Sequence, residues 1–330
     1  MNTRRKLLAA LGASAIAIPL SVFAQAQGKT LRVGFFYYGS RQSAMDTGRL
    51  ATFIAGLRDV GYVEGKNLVI EARYGDGVLE KLEPLAAELV KLKVDVLVVT
   101  GTPAVYAAKR TTTTVPIVFT VANDPVADKF AASLAHPGGN LTGLSTVAPE
   151  VIPKYIELMK LARPKLARVA ALVNAANPSH PQQLRVLIDA GKKAGVKITS
   201  VEVRTAEDID RGFVTMARER AEAVLVFNDT FLVQNLGRIS ELSLKNNIAS
   251  IFASREYAKA GGFMTYGPDL NDNFRRVSAF VDKIFKGAKP GDLPIEQPTR
   301  YYLIINRKTA NALKIPISKE LLLRADEVIE

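Results

Sequence analysis

A chain of 330 residues exceeds what one hydrophobic core usually holds, so two domains are expected. Hydrophobic residues make up 48% and charged residues 23%, a globular balance that excludes long disordered tracts. The formal charge of +12 comes from Lys and Arg scattered along the chain, with no dense basic block and no aromatic-basic interleaving, which argues against nucleic acid and for a solvated basic surface.

Residues 1–26 read as a cleavable export signal. Arg4-Arg5-Lys6 is the positive n-region, Leu7 to Phe23 the apolar h-region, and Ala24-Gln25-Ala26 an A-x-A-like cleavage site. Gly12 and Pro19 interrupt the apolar run, which disfavours a retained anchor. Thr3-Arg4-Arg5-Lys6-Leu7-Leu8 loosely matches a twin-arginine signal, so the Sec and twin-arginine routes both stay open. The expected compartment is the periplasm, with no stable membrane insertion of the mature chain. The chain has no cysteine, which excludes disulfides, thiolate metal sites, a cysteine nucleophile and a lipid-anchored cysteine.

The mature region alternates strands and helices. Leu31 to Tyr37 is an apolar strand, followed by a helix with Leu50, Phe53, Ile54, Leu57 and Val60 on one face and Gly61 as its stop. Leu68–Tyr74, Asp95–Thr100, Val115–Ala122 and Leu141–Ser145 are the next strands, with a helix through Leu79, Leu82, Leu85, Ala86 and Leu89 after the first of them. Another helix-like segment is expected after the Asn123-Asp124-Pro125 corner. A second series starts after Pro149, with strands at 169–174, 197–203, 223–227 and 248–253 separated by amphipathic helices. A short strand to Tyr266, a helix carrying Phe274, Val277, Val281, Ile284 and Phe285, and a last strand Tyr301–Ile305 complete the pattern. Such βα repetition implies mainly parallel sheets with helices on both faces, arranged as two Rossmann-like α/β lobes.

No G-x-S-x-G elbow, Walker A loop, H-E-x-x-H or G-x-G-x-x-G fingerprint is present. His136 and His180 each stand beside a proline and read as turn residues, so neither a catalytic residue, a metal site nor a cofactor is expected. The strand ends are more informative, because ligands of open α/β sheets lie outside the carboxyl ends of the strands. Tyr37, Tyr38 and Ser40, Gly101 and Thr102, and Asn123 and Asp124 stand at such ends in the first series. Asn174 and Asn177, Asn228 and Asp229, and Ser254, Arg255 and Glu256 stand there in the second. Any one of these is also a plausible helix cap. Together they would line a cleft with amide donors at helix N-termini for a carboxylate, and with Asp124, Asp229 and Glu256 as acceptors for an ammonium. Tyr37 and Tyr38 would cover an apolar group, although Tyr37 can instead point into the core.

Thr102-Pro103-Ala104, Thr112-Thr113-Thr114-Val115-Pro116-Ile117-Val118-Phe119, Asp124-Pro125-Val126 and Pro137-Gly138-Gly139-Asn140-Leu141-Thr142-Gly143 resemble the substrate-binding proteins of ABC transporters of the tryptophan/tyrosine-binding type. Gly261-Gly262-Phe263-Met264-Thr265-Tyr266-Gly267-Pro268, Leu293-Pro294-Ile295-Glu296-Gln297-Pro298 and Arg324-Ala325-Asp326-Glu327-Val328-Ile329 extend the likeness over the whole mature chain. The resemblance implies a type I periplasmic binding fold, with a ligand cleft between two lobes joined by three crossing segments. These fall near Ser145–Glu150, Tyr266–Pro268 and Pro294–Thr299. The first lobe would hold residues 27–146 with about 268–296, and the second 147–267 with about 297–330. It further implies capture of a small polar ligand, an aromatic or other amino acid among the candidates, for an ABC permease with its cytoplasmic ATPase. The chain has no Trp to stack on an indole. An exported hydrolase using carboxylates in the same cleft is the alternative. A sugar-responsive repressor is disfavoured by the export signal and the missing helix-turn-helix.

Overall fold

Apolar runs become strands and amphipathic segments become helices throughout the computed structural model, which describes residues 30–146 and 151–330. The expected export signal, and residues 147–150 of the first expected crossing, lie outside the described residues. The first series comprises β1 (Leu31–Tyr37), α1 (Arg41–Asp46), α2 (Arg49–Asp59), β2 (Leu68–Tyr74), α3 (Leu82–Lys91), β3 (Val96–Thr100), α4 (Thr102–Thr111), β4 (Ile117–Ala122) and β5 (Leu141–Ser145). The second runs through α5 (Ile152–Ala162), β6 (Arg168–Asn174), α6 (His180–Ala194), β7 (Lys197–Val203), α7 (Ala206–Arg218), β8 (Ala223–Val226), α8 (Thr230–Gln234), α9 (Leu236–Lys245), β9 (Ala249–Phe252), α10 (Arg255–Lys259) and β10 (Met264–Gly267). The chain ends with α11 (Leu270–Phe285), β11 (Tyr302–Asn306), α12 (Arg307–Ala312), α13 (Lys319–Arg324) and β12 (Glu327–Ile329).

Two sheets result. The first has the order β2-β1-β3-β4-β5 and is parallel throughout. The second has the order β12-β11-β10-β9-β8-β6-β7, parallel except where β11 pairs antiparallel with β10. Central strands β3, β4, β8 and β9 are buried along their whole length, as expected of parallel strands with helices on both faces, and so is the edge strand β5. On one face of the first sheet, Val33, Phe35 and Tyr37 pack with Phe53 and Leu57 of α2 and Phe274, Val277 and Val281 of α11. The opposite face contributes Phe36, Tyr38, Leu97 and Phe119 to an apolar cluster that continues without a break into Leu172, Val226, Phe231 and Phe252 around the second sheet. Both sheets belong to one compact unit, Leu31–Glu330.

Local chemistry sets many boundaries. Gly48, at φ 71, supplies the left-handed turn between α1 and α2, and Gly195, at φ 69, closes α6 as a left-handed C-cap. Thr205 and Asp208 form a reciprocal capping box on α7. The long helix α11 leaves the second sheet after β10 and packs on the first beside α2. The chain then bridges β5, where Ser145 donates its backbone N–H to Glu296 O at 2.9 Å, before returning to the second sheet as β11.

One expected helix does not form. The Asn-Asp-Pro corner opens a run of turns, with Lys129 at φ 57, because the side chain of Asp124 accepts the N–H of Ala127 at 3.0 Å and closes the chain on itself. The short helices α1, α8, α10, α12 and α13 and the terminal strand β12 are additions to the sequence reading. At three to six residues they carry too little periodicity to be read from pattern.

Candidate functional site

The strand order changes direction between β1 and β3 in the first sheet and between β6 and β8 in the second. At such switch points the flanking connections leave toward opposite faces and open a crevice beyond the carboxyl ends of the strands. In the first sheet these ends carry Tyr37-Tyr38 and Thr100-Gly101, and in the second Asn174 and Asn228-Asp229. The two edges face each other. Asn174 Nδ2 reaches Tyr38 Oη at 3.5 Å, Asn123 Nδ2 reaches Asn228 O at 3.5 Å, and Asn228 Nδ2 donates to Thr146 Oγ1 at 3.1 Å. The backbone N–H of Ser40 donates to Gln234 Oε1 at 3.2 Å.

On the second-sheet side the polar groups are tightly organised. Asp229 is the N-cap of α8, its Oδ1 accepting from the N–H groups of Phe231 and Leu232 at 2.8 and 3.3 Å. Asn174 Nδ2 also donates to Oδ1 at 3.0 Å, and Asn177 Nδ2 to Oδ2 at 2.8 Å. His180, expected to be a turn residue, is instead the buried first residue of α6. Its Nδ1 accepts the N–H of Asn174 at 3.0 Å, so the ring proton sits on Nε2, 3.5 Å from Asn228 O. Burial holds this imidazole's pKa below its ordinary value, against the pull of the nearby Asp229 charge. The same polar cluster raises Tyr38 well above the usual tyrosine range, burial acting first and Asp229 second. Tyr38 in turn donates to Gly77 O at 3.0 Å.

The remaining expected residues have more varied settings, not all of them at the seam. Gly101, at φ 95, is the N-cap of α4, and Thr102 behind it is buried. Ser40 caps α1 through the N–H of Ser43. Ser254 occupies the N-cap position of α10 in extended geometry without a side-chain capping bond and donates its hydroxyl to Glu256, while Arg255 turns away to pair with Glu327. Tyr37 points into the first-sheet core, its ring 6.1 Å from Phe35 and 6.4 Å from Tyr74. Asp124 lines a cavity of about 160 Å³ with Tyr106, Asp128, Ser179, Gln182 and Arg185. A larger, shallow depression of about 930 Å³ lies between α5 and α6. It is lined by helix flanks and lacks the convergence of strand ends that marks the seam, so the seam is the stronger candidate.

Sequence reasoning passed over several groups at the seam. Thr146, Asp128, Ser179 and Gln234 lie in loops or short helices that pattern does not orient. Arg49 opens α2 and reads as a surface cation, yet it is only 1% exposed. Its one sequence signal is register, because Arg49, Phe53 and Gly56 share the helical face that meets α11. Its Nη1 donates to Tyr37 Oη at 2.8 Å, and its guanidinium lies 5.8 Å from the Phe274 ring centroid. Nε and Nη2 have no hydrogen-bond partner among the described residues, nor do Ser43 Oγ, Ser145 Oγ, Thr230 Oγ1 and Asn271 Oδ1. A buried donor left this way costs about 1–3 kcal/mol, more when charged.

Residues 43–329 match the family described as ABC transporter substrate binding protein. The chain belongs to this family. A curated relative, the tyrosine-binding protein of Clostridioides difficile (strain R20291), is 25% identical over 261 residues, covering 79% of this chain and 75% of the relative. Among solved structures, an ABC domain in complex with L-Trp from Streptococcus pneumonia superposes with a TM-score of 0.84 at 23% identity, covering 91% of this chain and 100% of that one. A ligand-free, open substrate binding protein with adhesive properties from Clostridium difficile gives a TM-score of 0.64 at 21% identity, over 91% and 99% of the two chains. The architecture is that of the type I periplasmic binding proteins, an α/β fold with two mainly parallel sheets. Among the described residues, no helix is long and apolar enough to cross a membrane.

Proposed function

We propose that this protein captures a small polar solute, an amino acid in the first instance, in the crevice between its two sheets and delivers it to an ABC importer. The observation that carries the reading is the meeting of two switch points, Tyr38 and Gly101 on one side with Asn174, Asn228 and Asp229 on the other. Family membership supports a binding role rather than a catalytic one. The relatives described as binding tyrosine and L-Trp support an amino-acid ligand. The higher TM-score to the L-Trp complex than to the open structure supports reading the present arrangement as the closed one.

In this reading the first lobe is residues 27–146 with about 268–296, and the second is 147–267 with about 297–330. The packing of α11 on the first sheet and the bridge at Glu296 support that division. The remaining strand-end residues, from Tyr37 and Ser40 to Ser254 and Glu256, line or brace the crevice. Residues 1–26 direct the chain to the periplasm, where an importer of this class collects its cargo.

A thermal-shift screen of amino acids, purine and pyrimidine derivatives and small acids tests the proposal. A true ligand raises stability by RT ln(1 + [L]/Kd), so a compound at a hundred times its Kd adds about 2.7 kcal/mol. Turnover of any stabilising compound by the purified protein would overturn the transport reading in favour of the hydrolase.

A further inference from the structure

We propose that Arg49 is the anchor for a ligand carboxylate, which makes the solute a small carboxylic acid; this rests on the crevice reading above. The guanidinium is buried and its hydrogen bonding is one-sided. Nη1 is taken by Tyr37, while Nε and Nη2 have no partner among the described residues. Those two nitrogens form one edge of the guanidinium plane and present two parallel N–H donors, the fork that fits the two oxygens of a carboxylate. Buried charges are ordinarily paired and hydrogen-bonded. The acidic group whose charge reaches Arg49 across the seam, Glu256, instead receives the Ser254 hydroxyl.

The surroundings favour an anion. Helices α2 and α11 run in the same sense, because Arg49 lies over Phe274, Ser278 donates to Phe53 O and Tyr62 donates to Asp282. Their N-terminal ends, of eleven- and sixteen-residue helices, are therefore neighbours at the carboxyl end of β1. Aligned peptide dipoles make this end positive, offset in part by Asp269 at the α11 N-cap and Asp272 in its first turn. Two further buried atoms without partners belong to the same elements. Ser43 Oγ is on α1 beside α2, and Asn271 Oδ1 stands one turn ahead of Phe274 on α11. In the proposed site the Ser43 hydroxyl would be a donor for the carboxylate, and the Asn271 amide oxygen an acceptor for an ammonium or hydroxyl of the same ligand. One guanidinium edge with these two groups matches a planar monoanion better than a phosphate, whose several charged oxygens call for more cationic partners.

The test pairs acids with counterparts lacking the carboxylate: L-tyrosine with tyramine and L-tyrosinamide, L-tryptophan with tryptamine, and benzoate with benzamide. Calorimetry gives Kd, and small-angle scattering reports whether binding compacts the protein. At least one acid is expected to bind at least a hundredfold more tightly than its counterpart. Arg49→Gln is expected to abolish that difference, and Arg49→Lys to recover part of it. The acid-to-amide ratio in the unaltered protein stands even if a variant fails to fold. Equal affinity for acids and counterparts overturns the proposal, as does failure of every acid to bind at millimolar concentration. A neutral solute that compacts the protein equally with Gln at position 49 overturns the carboxylate anchor and keeps the crevice. Acid binding without compaction, unaffected by the substitution, removes both.

Discussion

Ser179 donates a 2.6 Å hydrogen bond from its hydroxyl to Oδ2 of Asp128, joining the loop before α6 to the turns after β4, and both residues are buried. Burial pushes the Asp128 carboxyl above its ordinary pKa, while the Ser179 hydroxyl and Tyr106 pull the other way. The bond links segments that follow strands of different sheets, so under the proposed capture of a solute between the sheets it is made when the seam shuts and lost when the seam opens.

Removing that hydroxyl should therefore weaken ligand binding more than it weakens folding. Hydrogen bonds to charged groups contribute about 1.5–3 kcal/mol, and part of that is recovered in an open form where Asp128 is solvated. A loss near 1 kcal/mol, roughly fivefold in Kd, is the expectation for Ser179→Ala. Calorimetry with a compound found in the stability screen measures it. An unchanged Kd beside a lowered unfolding midpoint would mean that the seam does not open during binding.

Gly101 offers a steric counterpart. A Cβ there would sit 2.9 Å from Thr230 Oγ1 and 3.0 Å from Tyr38 Cβ, and the backbone holds φ at 95. Because Thr230 belongs to the second-sheet side, Gly101→Ala should wedge the seam as well as strain the turn. The backbone term alone is about 1–3 kcal/mol. Scattering should show a larger radius of gyration than the unaltered protein, with ligand affinity reduced at least tenfold. A destabilised variant of unchanged dimensions would confine the effect to the turn.

The sequence made the two sheets legible because parallel strands buried on both faces are nearly continuous apolar runs, as in Val96–Thr100 and Ile117–Ala122. It also pointed to the edges that meet, since Tyr38, Asn123, Asn174, Asn228 and Asp229 are polar or amphipathic residues directly after such runs. What each side chain does there was not legible. Asp229 reads as an open acceptor, yet both its oxygens are occupied by Asn174, Asn177 and the first turn of α8, a pairing that depends on residues 52 to 55 positions away. Arg49 was hidden for the converse reason, because a charge on a helix is assumed solvated until tertiary packing buries it.

Asp229 should accordingly behave as a structural keystone. Asp229→Ala strips acceptors from two buried amides and from the α8 cap, a loss expected to reach about 3–5 kcal/mol. Asp229→Asn keeps the shape but sets one amide NH₂ against another. It should cost less than the alanine and still lower the urea midpoint. Wild-type stability in either variant would refute the keystone role.

His180 predicts how stability responds to mild acid. Its imidazole titrates below the ordinary value of 6.5 because it is buried, and its Nδ1 lone pair receives the Asn174 N–H. Protonation would place a donor against that donor. A group that binds its proton more weakly in the folded chain has no effect on stability above the unfolded pKa. Below it, the unfolded chain takes up a proton that the folded chain resists, and stability falls until the folded pKa is passed. The slope contributed by one such group is at most about 1.4 kcal/mol per pH unit. The depressed carboxyls of Glu157, Glu222 and Asp208 exert their effects below 4.5, and the raised Asp128 carboxyl acts in the opposite sense, adding stability as pH falls, so a decline between pH 6.5 and 5 is assigned by comparison with a histidine variant. Urea midpoints should decline across that interval in the unaltered protein. His180→Asn should start lower at pH 8, having lost the acceptor geometry, and then change little down to pH 5. Parallel declines in the two proteins would assign the acid sensitivity to another group.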